Sequence, residues 1–191
     1  MPGTMIVPAA NGASSETPGH VSYAVLVRQL VAIMALPGTV VIAIPVWVAE
    51  RNHLSFSAPR GPSDLALVLC GAALLVVGVA LFVASVYYFW SRGRGTLAPW
   101  DPPRQFVVEG PYRFVRNPMI SGVIFVLAAE ALIFRSRPHA EWAALFTLIN
   151  AIYIPLFEEP MLAARFGAPY ARYKRAVRRF FPRVRPWTPE G

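Results

Sequence analysis

Four apolar runs, separated by polar segments carrying proline and arginine, organise the chain. Gln29 to Ala49 is apolar for 21 residues and contains Pro37 and Pro45, and Leu65 to Trp90 gives 26 more. At 1.5 Å per residue, about 20 residues cross a ~30 Å hydrocarbon layer, so both runs predict spanning helices. Met119–Phe134 and Trp142–Phe157 are shorter, 16 residues each, and contain Glu130 and Asn150. They predict either short spans or a hairpin buried against the first pair. Beyond Phe157, the positions Leu162, Phe166, Tyr170, Tyr173, Val177 and Phe180 recur at spacings of 4, 4, 3, 4 and 3. That is one stripe of an amphipathic helix, and its opposite face is rich in arginine, which suits a membrane surface. Gly167 and Pro169 are expected to stop one helix and start another. Residues 1–20, rich in Pro, Gly, Ser and Ala and free of Lys and Arg, read as a flexible tail rather than a secretory signal. Residues 21–191 then form a single all-α integral-membrane domain of about four transmembrane helices.

Composition sharpens this picture. Of 191 residues, 55% are hydrophobic and 15% charged, and the mean hydropathy is +0.46. Typical soluble domains carry about 25% charged residues, so disorder is excluded and a water-soluble globule is disfavoured. The single cysteine, Cys70, excludes a disulfide scaffold and a cysteine-ligated metal, and no metal site is expected. Net charge is +8, from 18 basic and 10 acidic residues. The 50–64 loop holds Arg51 and Arg60, and the 135–141 loop holds Arg135 and Arg137. The 91–117 loop holds five arginines (Arg92, Arg94, Arg104, Arg113, Arg116), and the tail from 158 onward holds eight basic residues. Two helices separate the rich segments, so both lie on the same side. By the positive-inside rule that side, and the N-terminus, is cytoplasmic. Topology and attraction to anionic membrane lipids explain the tail's charge, and no nucleic-acid module accompanies it.

Two cytoplasmic segments are unlike ordinary connectors. Residues 93–122 hold Pro99, Pro102, Pro103, Pro111 and Pro118 together with Gly93, Gly95, Gly110 and Gly122. This density predicts a turn-rich path, and long ordered loops are commonly functional. The second segment, 157–183, opens with Glu158 and Glu159 at the membrane–cytosol boundary. Adjacent carboxylates need a compensating cation, for which the sequence offers Arg113, Arg116 or a positively charged ligand. Glu130 sits about 12 residues past Pro118, roughly 18 Å along a helix and beyond the midplane. Arg135 and Arg137 are the expected partners for it there. Cys70 is expected to be inert.

The two segments together resemble a family. G-P-Y-R-F-V-R-N-P-M at 110–119, then E-E-x-x-L-x-x-x-F-G-x-x-Y-x-x-Y at 158–173, is similar to the isoprenylcysteine carboxyl methyltransferase and phospholipid methyltransferase superfamily. The likeness covers roughly residues 93–183. It implies a small membrane enzyme, of the kind found in a bacterial inner membrane, that uses S-adenosylmethionine (AdoMet). The cofactor pocket would be formed by the cytosolic loop and the C-terminal amphipathic helices, and both termini would be cytoplasmic. Carried over by position, the resemblance implies cofactor contacts from Arg104, Gln105, Phe106 and Val107, from Tyr112, from Asn117, Pro118, Met119 and Ile120, and from Glu158. Charge complementarity adds Arg116 for the cofactor carboxylate and Glu158 for its ammonium, with Glu159 supporting a neighbouring arginine. Eukaryotic members have His at position 117 and Tyr at 120. The prenylcysteine enzymes place Arg four residues before the first Glu, where Ile154 stands here, which argues against a free prenylcysteine carboxylate. None of His20, His53 and His139 falls in either motif, so no catalytic side chain is assigned. The expected acceptor is lipophilic and already nucleophilic, a carboxylate or thiolate, or a group activated by desolvation. Two alternatives stay open: a non-catalytic membrane protein of the same fold, and a relative of the NAD(P)H-dependent lipid or sterol reductases.

Overall fold

The computed structural model describes residues 6–8, 34–93 and 105–188. A π-helical run, Met34–Ala43, leads into α1 (Ile44–Arg51). α2 spans Pro62–Gly93, α3 Pro118–Ile133 and α4 Arg137–Tyr153. A second π-helical stretch, Ile154–Glu158, joins α4 to α5 (Glu159–Ala176) without a break. Beside these helices lies a small antiparallel ribbon, β1 (Ile6–Pro8) on β2 (Gln105–Val107), with Ile6 opposite Val107. The tail expected over residues 1–20 is therefore tied down at three of its residues.

Prolines explain the widened windings. Pro155 has no N–H, and the bond that closes the turn instead runs five residues back, from Glu159 N–H to Ile154 O. In the first run, i→i+5 winding would pair Val40 with Pro45, which again has nothing to donate. The indole of Trp142 supplies the missing donor, bonding Val40 O at 3.1 Å. A backbone carbonyl buried without a donor would cost free energy comparable to a lost hydrogen bond. The bond also fixes the α1 region to α4.

α2 and α3 pack antiparallel at close range. A Cβ added at Gly78 would stand 2.9 Å from the Gly122 carbonyl oxygen, and one added at Gly71 2.8 Å from Ile133 Cγ1. Small residues let the two backbones approach, as they do between membrane helices. Against this pair Val123, Leu127 and Ala143 form a core with Val40, Val41, Phe82, Trp142 and Phe146 around it. The outward faces are apolar too: Leu69, Val76 and Val83 on α2 are each more than half exposed. Among the described residues, two helical runs are long and apolar enough to cross a membrane, Pro62–Tyr88 and Arg137–Ala176, while Pro118–Ile133 is apolar but shorter. The first five residues of the Gln29–Ala49 run lie outside the described residues.

The antiparallel hairpin sets two ends. At one, Arg135 bonds Asp64 (3.3 Å) and the backbone and hydroxyl oxygens of Ser57 (2.6 Å each), while Arg137 pairs with Glu141. The arginines expected to pair with Glu130 are thus committed elsewhere. Glu130 Oε2 is buried with no hydrogen-bond partner among the described residues. At the other end, β2, the loop before α3 and the start of α5 come together.

Candidate functional site

The floor of this end is aromatic. Phe106, at the centre of β2, meets the rings of Phe166, Tyr170 and Tyr173 at 5.3, 5.7 and 5.2 Å between centroids. Three of the six stripe positions read from the sequence therefore pack on one residue of the preceding segment, and Val177 closes the cluster. Phe106 itself is buried, so its side chain serves packing, and only its backbone is left to touch a ligand.

Above this floor the chain turns sharply at Gly110. Its φ is +53°, and any Cβ there would collide with the ring of Tyr88 on α2, so glycine is required twice over. Pro111 then starts a 3₁₀ turn, Gly110–Arg113, that presents Tyr112. The Tyr173 hydroxyl donates to Tyr112 O at 2.6 Å and fixes the turn to α5.

α5 is not straight. Gly167 adopts φ +57° and ψ −133°, a region closed to residues with a Cβ, and the helix kinks there as the sequence suggested. The consequence is visible in charge. Lys174 Nζ reaches Glu159 Oε2 at 2.7 Å, although fifteen residues of straight helix would hold them about 22 Å apart. The kink folds the second half of α5 back over the first.

The chain after α5 continues this return. Arg116 and Asn117 N–H donate to Arg178 and Arg179 O, and Arg183 and Trp187 N–H donate to Phe114 and Arg113 O, at 2.8–3.2 Å. Tail and loop are thus laced together, and Glu159 sits at the joint. It is 2% exposed and takes Arg116 at 2.8 Å, Arg179 at 2.6 Å and Lys174 at 2.7 Å. Glu159 lies beyond Phe157, the last residue of the apolar run read from the sequence. Burial alone would raise its carboxyl pKa. Hydrogen bonds from Arg179 and Lys174, with the charges of Arg116 and Arg179, outweigh that and hold it at about 2.

Glu158, one residue earlier, has the opposite surroundings. No cation pairs with it among the described residues, and burial, then the charge of Glu159, push its pKa up. It lies close enough to Tyr112 that its charge, after burial, helps raise that phenol well above its ordinary value. Tyr170, also chiefly through burial, is pushed to about 12. Arg116 spends Nη1 on Glu159 and leaves Nε buried without a hydrogen-bond partner among the described residues. Asn117 stands at the start of α3 but its side chain does not cap the helix, while its carbonyl accepts from Ser121. Pro118 is fully buried at the first turn, followed by half-buried Met119 and Ile120.

The sequence-derived set is therefore brought together in part. Tyr112, Arg116, Asn117, Glu158 and Glu159 converge, Gln105 and Val107 flank Phe106 in β2, and Arg104 lies outside the described residues. Arg113, expected as a partner for the acids, instead donates from Nε to Trp187 O at 2.8 Å. The true partners besides Arg116 are Arg179 and Lys174, which sequence reasoning missed. Their signal was weak, because nothing local separates them from the other tail cations until the fold-back at Gly167 is known.

A family model described as phospholipid methyltransferase matches residues 66–169, more than half of the chain. No curated protein and no solved structure matches.

Proposed function

We propose a function from one premise: this chain belongs to the phospholipid methyltransferase family. Members of that family are membrane-associated methyltransferases. The finer reading is an AdoMet-dependent transfer of a methyl group to a lipophilic acceptor reached from the bilayer. In this reading the chain is an inner-membrane protein of bacterial type with four spans, both termini in the cytoplasm and no nucleic-acid partner.

One observation carries the reading: a half-buried carboxylate, Glu158, with no cation paired to it among the described residues and its charge felt by Tyr112, in a site where Arg116 keeps Nε unspent among those residues. Such a carboxylate is costly unless a cation arrives. An amino acid carrying a sulfonium nucleotide fits that donor set, with its ammonium on Glu158, its carboxylate on Arg116 and Asn117, and its base against Tyr112. When bound, AdoMet supplies a methyl group already activated for in-line displacement. Glu159, bonded to Arg116, holds that guanidinium in place at the cofactor site. Together the laced tail and loop restrict water at the site.

In this reading Glu158 is taken by the cofactor ammonium, and no other side chain of the site among the described residues is suited to take a proton from the acceptor at neutral pH. The phenols of Tyr112 and Tyr170 stay protonated, and His139 is buried at the other end of the hairpin, against Ser136. The acceptor therefore arrives nucleophilic, as a carboxylate or thiolate. The test is incubation of the purified protein with methyl-radiolabelled AdoMet and a lipid extract. Label should enter the organic phase as a methyl ester or thioether. Label confined to water-soluble products contradicts the lipophilic acceptor, and label on a headgroup amine contradicts the acceptor class.

A further inference from the structure

Residues 160–188 contain eight lysines and arginines and no acid. The hub at Glu159 uses Lys174 and Arg179, yet Arg172, Arg175, Arg178 and Arg185 stay exposed with no ion pair among the described residues. Among those cations two large apolar side chains also face outward, Phe181 (72% exposed) and Val184 (97%). These are not the ends of a loose strand. The backbone bonds from Arg183 to Phe114 and from Trp187 to Arg113 pin the segment on both sides of Val184. Arg179, Arg183 and Trp187 turn inward, and Arg178, Phe181, Val184 and Arg185 turn outward. Pinned apolar groups ringed by unpaired arginines are the composition of a surface that enters the headgroup layer.

Its position agrees. Arg179 bonds Glu159 at 2.6 Å, and Glu159 follows Phe157, where the apolar run ends. The tail is thus held at the depth where that helix leaves the bilayer in the membrane reading above. We propose that Arg178, Phe181, Val184 and Arg185 form a docking surface for the anionic lipid leaflet. Phe181 and Val184 enter the acyl boundary, and the arginines contact headgroup phosphates. The surface would seat the laced tail, and the loop bonded to it, against the membrane.

Spin labels test this in the full chain with Cys70→Ser. One label is carried by Val184→Cys and another by Val76→Cys on the outward face of α2. Nanodiscs are made of phosphatidylcholine alone or mixed with phosphatidylglycerol. The label at 76 should be reached by oxygen and not by an aqueous nickel chelate in both. The label at 184 should show a several-fold higher oxygen-to-nickel ratio only with phosphatidylglycerol, and should lose it in high salt and in the Arg178→Gln, Arg185→Gln variant. A label at 184 in water in both discs, with the label at 76 in lipid, overturns the docking surface alone. Equal burial in phosphatidylcholine overturns the anionic preference. Water at position 76 overturns the membrane reading, and the surface with it.

Discussion

The two ends of the α2–α3 hairpin use the same chemistry, arginine on carboxylate, to opposite effect. At the far end Arg137 and Glu141 are open to solvent, 90% and 62% exposed, while Arg135 and Asp64 are half-buried at 17% and 31%. At the site end one carboxylate, Glu159, is 2% exposed and serves three cations drawn from the loop, from α5 and from the tail beyond it. Exposed pairs are worth about 0–1 kcal/mol because water competes for both partners. A buried acid among several cations is different, since removing it strands charge in a poorly solvated place. The comparison teaches where the fold is held by electrostatics and where it is held by helix packing alone.

Breaking the hub should give the largest effect. Glu159→Gln leaves Arg116 without its partner and should destabilise the protein by about 3 kcal/mol, read as a fall in Tm in detergent. The same contribution should be sensitive to acid. Because the folded pKa lies below the ordinary carboxyl value of 4.5, the stability is present above that pH and is lost as pH falls from 4.5 toward about 2. A protein whose Tm is flat across that window contradicts the hub. Gly167→Ala comes next. Nothing lies within 4 Å of the added Cβ, so the cost is conformational, about 1–3 kcal/mol. Trypsin sensitivity of the tail should rise with it, since the fold-back delivers Lys174 and Arg179. Smallest is the far end. Arg137→Ala should shift stability by about 0.5 kcal/mol or less, within the scatter of surface pairs, as followed by the same Tm measurement.

The arrangement of elements was readable because it depends on patterns of one residue type. Apolar runs located the helices, and the stripe from Leu162 to Val177 foretold which side of α5 faces Phe106. Gly110 and Gly167 announced the turn and the kink. What could not be read were the partners that depend on distance in space. The arginines at 113, 116 and 179 look alike in sequence, and only the fold-back decides that Arg113 bonds Trp187 while Arg179 bonds Glu159. The same holds for Glu130, whose apparent neighbours Arg135 and Arg137 are drawn off by Asp64 and Glu141. The widened winding at Ile154–Glu158 also escaped notice. Pro155 inside an apolar run signals a disturbed helix but not that the chain continues through it to Ala176.

Calorimetric titration of AdoMet into the purified protein tests the site most directly, with Glu158→Gln run beside the wild type. Binding heat should appear for the wild type, and the variant should lose about 1.5–3 kcal/mol of affinity with its Tm unchanged, because Glu158 pairs with no cation among the described residues. Equal affinity in both proteins, or no heat in the wild type, contradicts a cofactor site built on Glu158 and Tyr112.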